Sequence, residues 1–284
     1  MARSRRGIDM AAGETKRILS RLRGARDTGR SLVVAGVGSG LTARGAVEGG
    51  ADALACYNTA VYRVRNLPSV LAFLPYDDAN ALTIGVAREI IAAANGQPVL
   101  LGLGAHDPRW SVTDLVDRAA ALGASGVTNE PFAGIYSAAF RAQLDAAGCG
   151  FQRELEMIRE GEARGLLSLG WAFDEEGIRA MVQAGAHIVG AMLGFSVSPA
   201  DGDVAAAVQT LDSMAAAALD EDPEVLVLAH GGPIGTPAAL QAALRDSRIH
   251  GIVTGSSAER QPAAQGVADA VRAFRSEGKR GRRD

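Results

Sequence analysis

Two short blocks in the second half of the chain carry residue types suited to chemistry on small anions. His230-Gly-Gly-Pro233 follows the apolar run from Val225 to Ala229, and Gly255-Ser-Ser257 follows Gly251-Ile-Val-Thr254. Apolar runs like these read as strands buried on both faces. The backbone amides of Gly231 and Gly232 and the hydroxyls of Ser256 and Ser257 are suited to holding a phosphate or carboxylate. The other reading of the two glycines is a turn before Pro233. His230 is either a proton carrier or metal ligand, or a histidine hydrogen-bonded for structure, and its place at a strand end favours function.

Other polar residues follow apolar runs in the same way: Asn58, His106 with Asp107, Asn129 and Trp171. The stretch Thr59 to Asn80 reads as a long irregular loop, dense in charged and aromatic residues, and is the best candidate for a lid or substrate loop. It supplies Arg63, suited to a carboxylate, and the pair Asp77-Asp78. Asp78 is the candidate ligand for Mg2+, against a plain turn or helix cap. Glu154 and Glu156 lie two apart on a predicted helix and so do not share a face. Glu154 is taken as the candidate proton carrier. His187 and His250 precede their strands and read as structural. Gly36, Gly38 and Gly40 lack the next glycine of a dinucleotide fingerprint, because position 41 is Leu41. No Ser-His-Asp order, zinc spacing or Walker loop is present.

The elements that must position these residues alternate. Eight apolar strand runs are each followed by a helical pattern, which predicts a parallel sheet. Eight such units fit an α/β fold, a closed (β/α)8 barrel preceded by an extra helix from Glu14. An open doubly wound sheet is the alternative. It is disfavoured because polar residues end nearly every strand, not one switch point. The predicted domain is a single barrel over residues 14–276, between basic tails 1–13 and 277–284 that read as disordered. In a barrel of this type, strand C-termini supply the site.

Composition limits the partners. The chain has 284 residues, 48% hydrophobic and 21% charged, as an ordinary globular protein does. A net charge of −3 gives no general attraction to nucleic acid or anionic membrane. No apolar run is long enough for a membrane span. Cys56 and Cys149, the two cysteines, read as free thiols of a reducing cytoplasm. Alanine-rich outer helices suit packing against a second subunit, so a homo-oligomer is expected.

Several blocks together resemble a known family. Glu48-Gly-Gly-Ala-Asp52, Tyr57-Asn58, Leu74-Pro-Tyr-Asp-Asp-Ala-Asn80, Glu154-Leu-Glu-Met-Ile158, His230-Gly-Gly-Pro233 and Gly255-Ser-Ser-Ala-Glu-Arg260 are similar to those of the phosphoenolpyruvate hydrolase-like TIM-barrel family. That family is also labelled phosphonopyruvate hydrolase or TIM-barrel signal-transduction protein. The resemblance runs from about Glu14 to Phe274. It implies a barrel acting on a small pyruvate-related phosphate or carboxylate, by hydrolysis or lyase chemistry through an enolate. On that reading Gly231, Gly232, Ser256 and Ser257 hold the anion. Arg63 and Asn129 bind substrate, His230, Glu154 and Asn58 serve catalysis, and Asp78 holds Mg2+. The chain departs from the family pattern at Met192, where a histidine is expected, at His187 in place of an aspartate, and at Glu130 in place of an aromatic. The second expectation is a non-catalytic barrel for ligand sensing or protein interaction, which Met192 favours.

Overall fold

The computed structural model describes residues 5–196 and 202–277. A long helix, α1 (Arg5–Asp27), leads into eight parallel strands that close in chain order into a barrel. The strands are β1 (Leu32–Val37), β2 (Ala53–Cys56), β3 (Val99–Gly102), β4 (Gly126–Thr128), β5 (Leu167–Ala172), β6 (Ile188–Ser196), β7 (Leu226–Gly232) and β8 (Gly251–Thr254). Pairing of β1 with β8, Leu32 opposite Gly251, closes the ring. Between the strands lie α2 (Gly40–Glu48), α3 (Asn58–Val64), α4 (Ala79–Ala93), α5 (Val112–Leu122), α6 (Ala138–Ala146), α7 (Phe151–Ala163), α8 (Glu175–Gln183), α9 (Val204–Glu221) and α10 (Pro237–Asp246). After β8 comes α11 (Arg260–Glu277). This is the expected (β/α)8 barrel with its extra N-terminal helix.

The two-residue period of a strand divides its side chains between two cores. Leu32, Val34, Ala53, Ala55, Leu167, Leu169, Leu226 and Leu228 fill the barrel interior. Val37, Leu54, Val127, Val189 and Val227 pack against the helices. Near the C-terminal mouth the interior holds the large side chains Tyr57 and Trp171, and glycines face them. A Cβ at Gly36 would stand 2.3 Å from the Tyr57 Oη, and one at Gly190 2.2 Å from the Trp171 ring. Gly36 is therefore required by close packing, which accounts for part of the glycine run Gly36–Gly40 without any nucleotide.

The N-terminal end of the barrel is closed by α1, whose Ile18, Leu19 and Leu22 join the interior cluster. Thr15 donates to the Gly165 carbonyl at 2.8 Å, and Arg21 donates to the Asp52 carbonyl at 2.8 Å. The helix starts at Arg5, not at Glu14, so residues 5–13 are not a disordered tail. Two local causes are visible: the segment holds the helix formers Ala11 and Ala12, and Ala12 lies against the Gly165 turn, where an added Cβ would meet it at 2.6 Å. The remaining tail residues, 1–4 and 278–284, lie outside the described residues, while residue 277 ends α11.

The stretch Thr59–Asn80 is more regular than a loop. It contains most of α3 and a 3-10 turn at Ser69–Phe73 before α4 begins. Strand β6 also runs past Met192 to Ser196, because it keeps pairing with β7 through an irregularity beyond the barrel mouth. His187 and His250 sit at the opposite end, where each accepts a backbone N–H, from Ser168 at 3.2 Å and Val227 at 2.9 Å respectively.

Leu22 is 1% exposed under the barrel. Leu22→Ala is expected to lower the unfolding free energy by about 2–5 kcal/mol, read from the urea midpoint at unchanged slope.

Candidate active site at the barrel mouth

Strand C-termini converge on a cavity of about 380 Å³ bordered by Arg63, Glu130, Met192, His230, Gly255 and Ser256. Pro68, Val70 and Phe73 from the segment after α3 reach over it, and Phe132, Ile135 and Phe195 complete an apolar wall. The segment expected to be a lid thus does border the mouth, as ordered helix and turn.

Arg63 is positioned by α3, which begins directly after Tyr57 at the end of β2. The Asn58 amide donates to the Ala72 carbonyl at 3.0 Å and ties α3 to the 3-10 turn. Arg63 is buried, and its Nε donates to Glu259 at 2.7 Å. Its Nη2 donates to the Tyr57 Oη at 3.3 Å, with the guanidinium 5.5 Å from that ring's centre. The other Glu259 oxygen accepts the Gly38 N–H at 2.7 Å. Among the described residues Arg63 Nη1 carries no hydrogen bond. It passes Gly255, where an added Cβ would stand 3.5 Å from Nη1 and 3.2 Å from the His230 ring. Glycine at 255 thus keeps open the space between cation and imidazole. Burial works against the Arg63 charge, but Tyr57 and Glu259 hold its pKa above the ordinary value. Burial also pushes Glu259 up, with Arg63 and the Gly38 N–H opposing.

His230 comes from the end of β7. Its Nδ1 lies 2.7 Å from the Val253 carbonyl, an oxygen that can only accept. The proton therefore sits on Nδ1, and Nε2 is left as an acceptor. Burial pushes the imidazole pKa down to about 4, so the ring is neutral at pH 7. Trp171 packs edge-on against it, with ring centres 5.2 Å apart.

Glu130 is 5% exposed and borders the same cavity. Burial pushes its carboxyl up to about 7, with Thr59 and the Arg63 charge pulling it back. It is an acid that exchanges a proton near neutral pH, which is what general acid–base catalysis needs. Neither Glu130 nor Glu259 was among the residues expected from the sequence. The signal was available in both cases: Glu130 stands between Asn129 and Pro131 at the end of β4, and Glu259 lies within the Gly255–Arg260 block.

The structure brings Arg63, His230 and Ser256 together and places the other expected residues elsewhere. Asn129 bridges strands: its Oδ1 accepts the Trp171 N–H at 2.7 Å, and its Nδ2 donates to the Trp171 carbonyl and to Glu154. Glu154 also accepts the Ala133 N–H at 2.7 Å. It borders a second cavity of about 400 Å³ between α6, α7 and α8, and burial pushes it up to about 7 as well. Asn58 does not border the mouth cavity. Gly231 and Gly232, at φ +78° and +54°, are held against the β6 extension, where a Cβ on Gly231 would stand 1.9 Å from the Gly194 carbonyl oxygen. They allow close backbone approach and do not line the cavity, and Ser257 is exposed outside it.

Magnesium at Asp78 does not fit the arrangement found. Asp78 caps α4, its Oδ1 accepting the Ala81 N–H at 2.9 Å, and its Oδ2 pairs with Arg109 at 3.2 Å. Asp77 accepts from Tyr62 at 2.7 Å, and Asp107 is paired with Arg109 at 2.6 Å. Among the described residues no three His, Cys, Asp or Glu side chains are grouped to hold a metal ion.

A closed parallel barrel with its polar cavity at the C-terminal mouth defines a protein of the (β/α)8 class. Within that class the chain belongs to the phosphoenolpyruvate hydrolase-like family, whose sequence model matches residues 17–276. Two tomato (Solanum lycopersicum) proteins, ToMV susceptible protein tm-1(GCR26) and ToMV resistance protein Tm-1(GCR237), are 32% identical over 265 residues. Those alignments cover 91% of this chain and 35% of each relative, so the chain spans about a third of their length. Among solved structures, phosphoenolpyruvate phosphomutase from Streptomyces platensis subsp. rosaceus superposes with a TM-score of 0.59 at 20% identity, covering 92% of this chain and 88% of that one. A phosphonopyruvate hydrolase solved with oxalate and Mg2+ superposes with a TM-score of 0.59 at 17% identity and the same coverage. At these identities the two structures show a shared fold. No helix is long and apolar enough to cross a membrane among the described residues.

The Glu130 carboxyl gives a pH signature. Unfolded it titrates near 4.5 and folded near 7, so the folded protein holds the proton more tightly between those values. Its contribution to stability is present below pH 4.5 and is lost as pH rises through 7. Glu130→Gln is therefore expected to match wild type at pH 4 and to exceed it above pH 7 by on the order of 3 kcal/mol, measured by urea unfolding across pH.

Proposed function

We propose that the barrel mouth binds a small pyruvate-type carboxylate and that the chain is an enzyme cleaving a bond to its methylene carbon through an enolate. The observation that carries this reading is the meeting of Arg63, Glu130, His230 and Ser256 in one cavity. Arg63 Nη1 and the Ser256 hydroxyl bind the carboxylate, and the Arg63 charge stabilises the enolate as it forms. The electron pair of the broken bond passes to the methylene carbon. Glu130, protonated, gives its proton to that carbon and makes the methyl group. Where the departing group is phosphoryl, water adds its hydroxyl to phosphorus, and its other proton restores Glu130. The neutral His230 accepts a hydrogen bond from this water at Nε2. The apolar wall of Phe73, Phe132 and Phe195 keeps bulk water from the enolate.

A second reading, a non-catalytic barrel that senses a ligand, draws support from one arrangement. Glu130 and Glu154, the two carboxyls pushed to about 7, border different cavities and cannot work as an acid–base pair. The names of the tomato relatives refer to ToMV susceptibility and resistance and to no reaction.

Calorimetry with oxalate, pyruvate, phosphoenolpyruvate and phosphonopyruvate, joined to an assay for pyruvate release, separates the readings. The enzyme reading expects binding and release, with Glu130→Gln keeping the ligand while losing about a hundredfold or more in kcat. Binding without release supports the sensing barrel. Binding of none of the four overturns both.

A further inference from the structure

The mouth cavity has two unlike ends. Arg63, Glu130, His230 and Ser256 make the polar end, and the half-buried Arg260 borders the cavity while donating to the Leu67 carbonyl at 3.3 Å. The other end is apolar and is made by Val70, Phe73, Phe132, Ile135, Met192 and Phe195. Its rings stand in series. The centre of Phe73 lies 5.2 Å from that of Phe132 and 5.8 Å from that of Phe195. Three separate parts of the chain build this end: the 3-10 turn after α3, the segment after β4, and the extension of β6 beyond the barrel mouth.

Pyruvate by itself does not fill this space. Even if each of its six non-hydrogen atoms took the roughly 30 Å³ of a water molecule in the liquid, less than half of the cavity's 380 Å³ would be used. A cavity of this size, with aromatic and aliphatic walls and a few polar groups, suits a larger organic ligand. Val70 and Phe195 are 47% and 43% exposed, so apolar surface stands at the mouth for a ligand to cover. Charge points the same way. Arg63 is the one buried cation among the described residues that border the cavity, and Glu259 already pairs with it. His230 is neutral. The polar end therefore matches a single carboxylate better than a carboxylate joined to a doubly charged phosphoryl group.

We infer that the methylene carbon of the substrate bears an apolar acyl group of about phenyl size, which makes the substrate class the apolar acylpyruvates. This rests on the reading that the mouth binds a pyruvate-type carboxylate and breaks a bond to its methylene carbon. The carboxylate lies on Arg63 Nη1 and Ser256, and the apolar group lies on Phe73, Phe132 and Phe195. Water held by His230 Nε2 adds its hydroxyl to the acyl carbonyl carbon. The bond from that carbon to the methylene carbon breaks, and its electron pair passes to the methylene carbon. Glu130 gives its proton there, and the other proton of the water restores Glu130. The products are pyruvate and an apolar carboxylic acid, and no oxidant or further reactant is consumed.

Calorimetry and an assay for pyruvate release on the 284-residue chain test this, with benzoylpyruvate, acetylpyruvate, pyruvate and phosphonopyruvate as ligands. Benzoylpyruvate is expected to bind about thirtyfold tighter than acetylpyruvate, through burial of its ring, and to yield pyruvate and benzoate. Val70→Ser with Phe195→Ser, both at exposed positions, is expected to lower that preference about tenfold. Acetylpyruvate or phosphonopyruvate bound and cleaved as well as benzoylpyruvate would overturn the inference and leave the pyruvate-site reading standing. So would a preference that the two substitutions do not change. Benzoylpyruvate bound tightly but left uncleaved overturns the acyl cleavage in favour of the sensing barrel. Binding of none of the four overturns both the inference and the reading beneath it.

Discussion

The buried ion pair between Arg63 and Glu259 is the contact on which the mouth of this barrel depends. It joins α3, after the second strand, to the segment that links the eighth strand to α11, and through the Gly38 N–H it reaches the turn after the first strand. Three parts of the rim are thus held by one pair of charges. Taking both charges out of water costs several kcal/mol each, and their attraction offsets this only with good geometry and further hydrogen bonds. Here the further bonds exist: Tyr57 to the guanidinium, and Gly38 to the carboxylate. Among the described residues the pair leaves Arg63 Nη1 without a hydrogen bond, and Arg63 borders the cavity.

Other features of the mouth follow from giving that pair room. Tyr57 supports the guanidinium from below and needs glycine at position 36 beside it. His230 and Arg63 share the space left by Gly255. Glu130, set just after the fourth strand and near a fixed positive charge, feels burial and attraction together, and the balance leaves its carboxyl near 7. The acid–base character of the site is therefore a property of the assembled rim. The same carboxyl in an exposed loop would titrate in the ordinary range.

Parts of this were readable from residues alone. The run Leu32–Val37 is the first strand to the residue, and the apolar runs before His230 and Gly255 mark the seventh and eighth. Apolar runs announce strands buried on both faces, the alternation with helices announces a parallel sheet, and eight such units fit a closed barrel. Of the residues expected at the site, His230 and Ser256 border the mouth because strand ends in such a barrel point there, and Arg63 borders it from the segment read as a lid. Asp78, Asn129, Gly231 and Gly232 were misplaced for a shared reason. Each is polar or flexible at a strand end or turn, but a local backbone need used it first: a cap, a bridge between strands, a close approach to Gly194. Which need wins depends on neighbours far away in the chain.

The residues alone were enough to order the strands and helices, to favour a closed barrel over an open sheet and to mark the end at which polar residues collect. Those are consequences of hydrophobic period and strand-end chemistry, which are local. It took the folded chain to show that Glu130, not Glu154, shares a cavity with Arg63, that Glu259 is the partner of that arginine 196 positions earlier, and that α1 reaches back to Arg5 while α11, among the described residues, packs extensively on no other element. Partners so distant along the chain meet only when the barrel closes, and burial, which sets their charges, exists only after it has.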